Sequence, residues 1–156
     1  MINSGPEIRV RRASFADLET VVDFNSAMAQ ETEGKSLEQA RLRAGVEAVL
    51  QREDLGFYLV AEIKGKVTGQ LLITTEWSDW RNGYFWWVQS VYVAPDHRRR
   101  GVYRALHDHV RMEALRRRNV CGVRLYVDRD NHVAQQVYRS LGMSHSHYDL
   151  YEIEFG

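Results

Sequence analysis

The sequence has little of several features that define whole classes of protein. Its 156 residues contain one cysteine, Cys121, and two prolines, and the formal net charge at pH 7 is zero. A single cysteine excludes an internal disulfide framework, and we interpret Cys121 as a buried, inert thiol. A neutral chain is not typical of a general nucleic-acid binder, whose footprint is net basic.

Long apolar runs are also missing. No stretch approaches the roughly 20 residues that span a bilayer, and the first residues, Met-Ile-Asn-Ser-Gly-Pro-Glu, have neither the basic start nor the apolar core of a signal peptide. We therefore expect a cytoplasmic protein whose partners include no membrane and no nucleic acid. The length fits a single domain over residues 1–156.

The chain does contain clear periodic patterns. Alternating or continuous apolar runs predict strands over Ile8–Arg12, Phe57–Ile63, Val67–Thr75, Tyr84–Val93 and Val123–Val127, and two short ones near Met143–His145 and Tyr148–Phe155. Helices are expected after the candidate caps Ser14 and Ser36, after Gly101, and from Asn131 to Gly142, with a loop over Trp77–Gly83. This order predicts a mixed α/β fold, with a mainly antiparallel sheet and one parallel crossover.

A basic turn between a strand and a helix is the most informative segment. The strand that contains Val91-Tyr92-Val93 is followed by Arg98-Arg99-Arg100-Gly101 and then by a long helical pattern. Unpaired N–H groups and the helix dipole favour an anion at such a helix start, and Gly101 leaves the backbone open to a ligand. The segment therefore indicates a pyrophosphate-bearing cofactor, with a solvated arginine turn as the alternative.

Two motifs resemble those of the GNAT superfamily of acetyl-CoA-dependent N-acetyltransferases. Arg98-Arg99-Arg100-Gly101-Val102-Tyr103 is similar to the family's Gln/Arg-x-x-Gly-x-Gly/Ala, with Tyr103 where relatives have Gly or Ala. The second motif is the helix that runs from Asn131 through Ala134 and Tyr138 to Gly142-Met143. The resemblance covers nearly the whole chain and implies a GNAT-like fold.

The resemblance also implies a role for each matching residue. Acetyl-CoA would be bound along its pantetheine arm by the backbone of Val91, Tyr92 and Val93, with Asn131 and Ala134 nearby. Its pyrophosphate would lie on the turn formed by Arg98, Arg99, Arg100, Gly101, Val102, Tyr103 and Arg104. Tyr138 would lie near the thioester sulfur, where a phenol can donate a proton or a hydrogen bond to the departing thiolate.

A general base is less evident. The strand Trp86–Val91 has no carboxylate, and Tyr126 stands where other relatives have a Glu. We therefore expect deprotonation of the acceptor amine through water, with Glu76 as the nearest side chain.

The acceptor site is expected around an unusual loop and the adjacent strand. Carboxylates beside aromatic rings suit a cationic amine, and the candidate residues are Glu76, Trp77, Asp79, Trp80, Trp87, Gln89 and Glu31. The alternative for this loop is a solvated turn whose tryptophans cover the core or form a homodimer contact. His145 and His147 could share a strand face, but no further ligands complete a site, so we expect no metal.

These observations together predict an N-acetyltransferase. It would transfer the acetyl group of acetyl-CoA to a small, cationic primary amine by direct attack in a ternary complex. Two alternatives stay open: acetylation of a protein or peptide amine, and a non-catalytic acyl-CoA sensor on the same fold.

Overall fold

A computed structural model describes residues 5–156 of the chain. Contacts divide it into two compact units, one that ends at Tyr126 and a second over Val127–Gly156. Within residues 5–156, no helix combines the length and the apolar character needed to cross a bilayer.

The first unit is built on a five-stranded mixed sheet. Its elements in chain order are β1 (Ile8–Arg12), α1 (Leu18–Glu33), α2 (Gln39–Gln51), β2 (Phe57–Ile63), β3 (Lys66–Ser78), β4 (Gly83–Val93), α3 (Val102–Arg116) and β5 (Val120–Leu125). The strands lie side by side in the order β1-β2-β3-β4-β5. Neighbours are antiparallel except β4 and β5, which run parallel and are joined through α3. The predicted sheet with one parallel crossover is confirmed.

Alternation along the strands gives the sheet two apolar faces. On one face, α3 buries the residues that recur every four positions, which are Val102, Leu106, Val110 and Ala114, against β-strand residues such as Leu71, Ile73, Trp86 and Val88. On the other face, α1 and α2 cover Tyr58 with a smaller cluster of Leu18, Val21, Val22 and Val46. The rest of this second face, toward the end of β3 and the start of β4, is more open.

Some predicted boundaries were wrong. The loop expected to begin at Trp77 begins later, because β3 continues to Ser78. Trp77 is part of the strand since it pairs with Tyr84 across the hairpin. The second helix is capped by Glu38, whose carboxylate accepts from the N–H groups of Ala40 and Arg41, and not by Ser36. Cys121 lies within β5 and is exposed, so the expectation of a buried thiol was also wrong.

The second unit contains one helix, α4 (His132–Ser140). The two short strands expected near Met143–His145 and Tyr148–Phe155 are absent from this described segment. The alternation that predicted them is real, but a strand exists only where a neighbour supplies ladder hydrogen bonds. Here the apolar members of the pattern, Tyr148, Leu150, Ile153 and Phe155, are exposed.

A charged cluster joins the first strand to the start of α1. The Arg11 guanidinium donates to both oxygens of Asp17, at 2.7 and 2.9 Å, and its Nε donates to Glu62 at 2.7 Å. The backbone N–H of Ser14 donates to Asp17 Oδ2 at 2.7 Å, as in a capping box. Asp17 is only 7% exposed, and the Arg11 hydrogen bonds hold the pKa of its carboxyl below the usual value.

Asp17→Ala should lower the free energy of unfolding by about 3 kcal/mol, because it leaves Arg11 without its buried partner. The depressed pKa means that this stability is present above pH 3.8 and is lost as the pH falls below it. Urea denaturation between pH 2 and 7 measures both effects. Asp54→Ala, which removes the exposed partner of Arg52, is the control and should change little. Equal losses in the two variants would contradict this role of Asp17.

Candidate active site

The parallel pairing of β4 and β5 stops partway along β4. The last register pair is Val88 with Leu125, while β4 continues to Val93 with β3 as its only strand neighbour in the described chain. The β5-facing backbone edge of residues 89–93 is therefore not in a ladder. Its N–H and C=O groups can receive an extended ligand that has amide groups.

A β-bulge occupies this open stretch. Leu72 pairs with Gln89 and Gln70 with Tyr92, so β4 has one residue more than β3 between these pairs. Ser90 adopts φ +51°, an uncommon conformation for a residue with a Cβ. The Gln70 side chain, fully buried, donates from Nε2 to the Ser90 carbonyl at 3.2 Å. Gln70 thus fixes the bulge from the neighbouring strand.

The basic turn before α3 has the conformation that an anion site requires. After a 3₁₀ turn at Pro95–His97, Arg99 and Gly101 both have positive φ, +62° and +83°. The N–H of Ala105 donates to the Gly101 carbonyl at 3.0 Å as the first helical hydrogen bond. The residues before Ala105 form the first turn of α3, where a helix has no carbonyl four residues back to accept from its N–H groups. A Cβ on Gly101 would meet nothing within 4 Å, so the space above the turn is open.

Arg98 is held by protein groups rather than pointing freely at a ligand. Its Nε donates to the carbonyl of Val93 at 2.9 Å, and its Nη2 donates to Glu31 at 2.8 Å. The Tyr92 hydroxyl donates to the other Glu31 oxygen at 3.1 Å. The Arg98 hydrogen bond keeps the pKa of Glu31 below its usual value. Glu31, expected beside the acceptor, therefore connects the end of α1 to the end of β4 and to the turn.

Glu31→Gln should raise the KM for acetyl-CoA about 3-fold and leave kcat unchanged, because it weakens the restraint on Arg98 and hence on the turn. The effect is small because the pair is partly exposed, with side chains 45% and 41% accessible. Steady-state kinetics at saturating acceptor measures it. Glu33→Gln is the matched control, since the ion-pair partner of Glu33 among residues 5–156 is the nearby Lys35. An unchanged KM, or an equal rise in the control, would contradict the prediction.

Glu76 lies on the open part of the second sheet face. Its Oε1 accepts from Trp87 Nε1 at 3.1 Å and from Arg124 Nη1 at 3.0 Å. The Trp87 ring stacks on Tyr126, with centroids 4.4 Å apart and planes at 24°. Arg124 also lies over Phe85, with its guanidinium carbon 3.5 Å from the ring centroid. Three strands thus bring a carboxylate, a guanidinium and three aromatic rings together.

Other predicted acceptor residues are placed apart from Glu76. Trp77 follows Glu76 in the same strand and so faces the opposite side of the sheet, where it packs edge-on against Tyr84 at 4.9 Å. Trp80 is 87% exposed in the β3–β4 hairpin, and its backbone N–H donates to the side chain of Asp79. Gln89 does lie on the Trp87 face, where its amide donates to the Thr74 hydroxyl.

The second unit contains the other predicted residues. The Asn131 side chain accepts from the Ala134 N–H at 3.1 Å and so caps α4. Gly142 has φ +92°, and the Met143 N–H donates to the Tyr138 carbonyl at 3.0 Å, which ends the helix as expected for a glycine stop. Burial raises the pKa of the Tyr138 phenol above its usual 10.0. Tyr138 therefore keeps its proton at neutral pH.

Sequence reasoning missed three residues of this region: Gln70, Phe85 and Arg124. No sequence pattern around Gln70 predicts that this buried glutamine fixes a bulge in the neighbouring strand β4. Arg124 does leave a signal, because it alternates with Val123 and Leu125 and so faces away from the α3 core. For Phe85 the sequence feature is Gly122 on the neighbouring strand. A Cβ at position 122 would lie 2.7 Å from the Phe85 ring, so the ring needs a glycine there.

Comparison with known proteins assigns the fold to a family. The model of the acetyltransferase (GNAT) family matches residues 20–143. The chain belongs to the GNAT family. Among solved structures, a possible acetyltransferase from Clostridium difficile 630 is 42% identical, with a TM-score of 0.89 over 95% of this chain and 97% of that one. Comparison with curated proteins finds no significant match.

More distant GNAT structures share the fold. A predicted acetyltransferase from Clostridium acetobutylicum, solved with acetyl-CoA, is 18% identical, with a TM-score of 0.75 over 94% of this chain and 96% of that chain. A ribosomal-protein-alanine N-acetyltransferase from Brucella melitensis biovar Abortus 2308 is 19% identical, with a TM-score of 0.77 over 96% of this chain and 100% of that one. The mixed sheet with a parallel β4–β5 pair agrees with the GNAT fold.

Proposed function

We propose that this GNAT protein transfers the acetyl group of acetyl-CoA to the primary amine of a small acceptor, by direct attack in a ternary complex. One observation supports this most strongly: within a single unit, the open backbone edge of residues 89–93 leads directly into the turn at residues 98–104. An extended chain with amide groups that ends in a pyrophosphate matches this sequence of sites. Coenzyme A has that chemistry.

The residues present fit the cofactor. The pantetheine amides would bind the β4 edge at Val91, Tyr92 and Val93 as an added strand does. The pyrophosphate would be bound by backbone N–H groups at the start of α3, where the helix dipole favours an anion. The side chain of Arg98 acts indirectly, because it is already bonded to Glu31 and Val93. Arg99 and Arg100 are exposed and would add positive charge.

The bulge at Ser90 and its neighbour Val91 would serve the reaction itself. A bulge aims backbone groups away from the ladder, and fixed N–H donors stabilise charge that develops on a carbonyl oxygen. Gln70 would keep these donors in place. Acetyl-CoA supplies the activated acetyl group, and the protein positions the amine against it.

The acceptor amine must lose a proton before it attacks, since a lysine-like ammonium has a pKa near ~10. Glu76 lies on the Trp87 face of the sheet, bonded to the Trp87 ring, and it would accept this proton through water. Its bonds to Trp87 and Arg124 fix its position. Tyr138, protonated at neutral pH, would assist departure of the thiolate.

One observation favours a second function, that of a non-catalytic acyl-CoA sensor. Glu76 is already paired with a guanidinium, and β4 supplies no carboxylate of its own. A non-catalytic acyl-CoA sensor would need only the edge and the turn. Acetylation of a protein or peptide amine uses the same chemistry on a larger acceptor.

Thiol release separates these functions. The purified protein is mixed with acetyl-CoA and a panel of small primary amines, and free coenzyme A is measured with a thiol reagent, with mass spectrometry of the product. We expect release that depends on the amine and one acetyl group on the product. Tight binding of acetyl-CoA without release above the buffer rate, for small amines and for peptides alike, would contradict an acetyltransferase and favour a sensor.

A further inference from the structure

Two polar side chains of β3, Thr68 and Gln70, are fully buried and bond to carbonyls of the strands on either side. The Thr68 hydroxyl donates to the Ala61 carbonyl in β2 at 3.3 Å, and Gln70 Nε2 donates to the Ser90 carbonyl in β4 at 3.2 Å. Each acceptor lies at a shift of register between the strands. Both side chains therefore support a backbone group where the regular ladder is interrupted.

Gln70 leaves one of its two amide atoms without a partner. Its Oε1 is buried and has no hydrogen-bond partner among residues 5–156. Exchange of the two amide atoms would place an oxygen against the Ser90 carbonyl, so the orientation with Nε2 on that carbonyl is the favourable one. A buried acceptor without a partner opposes the gain from the single hydrogen bond. Fold stability alone therefore does not explain a glutamine at position 70.

The N–H of Val91 faces the open edge of β4. At the end of the strand, the Ala94 N–H donates to the Thr68 carbonyl of β3 at 2.8 Å. The backbone groups of successive residues in a strand point to alternate sides. Those of Val93 and Val91 therefore point away from β3, to the side on which the pairing with β5 has ended.

Gln70 fixes the direction of this N–H through the peptide plane. The peptide bond between Ser90 and Val91 is trans, so its carbonyl and its N–H point in opposite directions. A side chain that holds the carbonyl on one side consequently aims the N–H to the other. Ser90 has φ +51°, which a residue with a Cβ adopts only where its surroundings enforce it. The hydrogen bond from Gln70 is such a restraint.

We propose that Gln70 is a positioning residue for acetyl transfer, which aims the Val91 N–H at the carbonyl oxygen of the acetyl group. As the amine nitrogen bonds to the acetyl carbon, an electron pair of the carbonyl moves onto this oxygen, where a fixed N–H donor stabilises it. The carbonyl forms again when the C–S bond breaks and coenzyme A leaves as the thiolate, while the amine loses its proton through water. This inference rests on the proposed acetyltransferase function and names the residue that orients its oxyanion donor.

Kinetics of two matched variants test the role of Gln70. Gln70→Met retains an unbranched side chain of similar length but cannot donate to Ser90. Because loss of one oxyanion donor lowers kcat by about 10²–10³-fold, we expect a misdirected donor to lower kcat at least 10-fold, with the KM for acetyl-CoA changed less than 3-fold. Thr68→Val removes the other buried hydrogen bond of β3 and should leave kcat within 2-fold. Melting temperatures report the stability of both variants.

A purely structural Gln70 would give a different result. In that case Gln70→Met would melt at a lower temperature with an unchanged kcat, or both variants would lose kcat equally, and either outcome would overturn the positioning role alone. No thiol release by the wild-type protein with any amine would overturn the acetyltransferase function and the role of Gln70 with it.

NMR of the isotope-labelled wild-type protein tests the donor without any substitution. Acetyl-CoA and coenzyme A differ only in the acetyl group, so they should affect the pantetheine contacts alike. We expect acetyl-CoA to move the Val91 amide proton further downfield than coenzyme A does, and the two cofactors to move the Val93 amide proton equally. Equal shifts of the Val91 amide proton at saturation with either cofactor would show that this N–H does not bind the acetyl oxygen.

Discussion

Tyr138→Phe should lower kcat about 100-fold, at the lower end of what general acid catalysis contributes. Burial raises the pKa of the phenol above 10.0, so Tyr138 is protonated throughout the neutral range and can donate to the departing thiolate. The substitution removes one oxygen and retains the aromatic ring. We expect the KM for acetyl-CoA to change less than 3-fold.

Steady-state kinetics from pH 6 to pH 11 measures this effect and its cause. Because the pKa is raised, loss of the acid should appear in the wild-type kcat only on the alkaline side of pH 10. The matched control is Tyr148→Phe, an exposed tyrosine of the same unit, which should behave as wild type. A kcat within 2-fold of wild type for Tyr138→Phe would remove Tyr138 from the mechanism.

Gly101→Glu should weaken binding of coenzyme A at least 100-fold. The new side chain would stand in the open space above the turn, and its charge would repel a pyrophosphate where the helix dipole now favours one. Gly101→Ala is the paired variant. A Cβ at φ +83° costs about 1–2 kcal/mol of stability, but it meets no neighbouring atom and adds no charge.

Isothermal titration with coenzyme A compares the two Gly101 variants, and thermal melts report their stability. We expect Gly101→Ala to be less stable yet to bind coenzyme A within 10-fold of wild type. If the Ala and Glu variants bind equally well, the pyrophosphate does not lie on this turn.

Helices and strands could be predicted from the sequence where the residue types and the hydrophobic periodicity indicate the same element. The first strand, Ile8–Arg12, and β2, Phe57–Ile63, are confirmed to the residue. The glycine that ends α4 and the apolar stripe of α3 are likewise confirmed. These features depend on neighbours only a few positions away. The local sequence is therefore sufficient to predict them.

The errors arise where a distant partner decides the structure. Trp77 extends β3 because Tyr84 lies opposite it. Residues 148–155 alternate in polarity but form no strand, because no neighbouring strand in the described chain forms ladder hydrogen bonds with them. For the site, the sequence located the turn at Gly101, but the pairs Glu31–Arg98 and Glu76–Arg124 join residues 67 and 48 positions apart. Only the fold reveals that both carboxylates are already engaged by arginines.

Amide hydrogen exchange with and without coenzyme A locates the cofactor on the chain. We predict that coenzyme A slows exchange in two segments of the first unit, the open β4 edge at residues 89–93 and the N–H groups at residues 99–104. Gly101→Glu should abolish both effects. Protection confined to other segments, with these two unchanged at saturating coenzyme A, would contradict the proposed cofactor site.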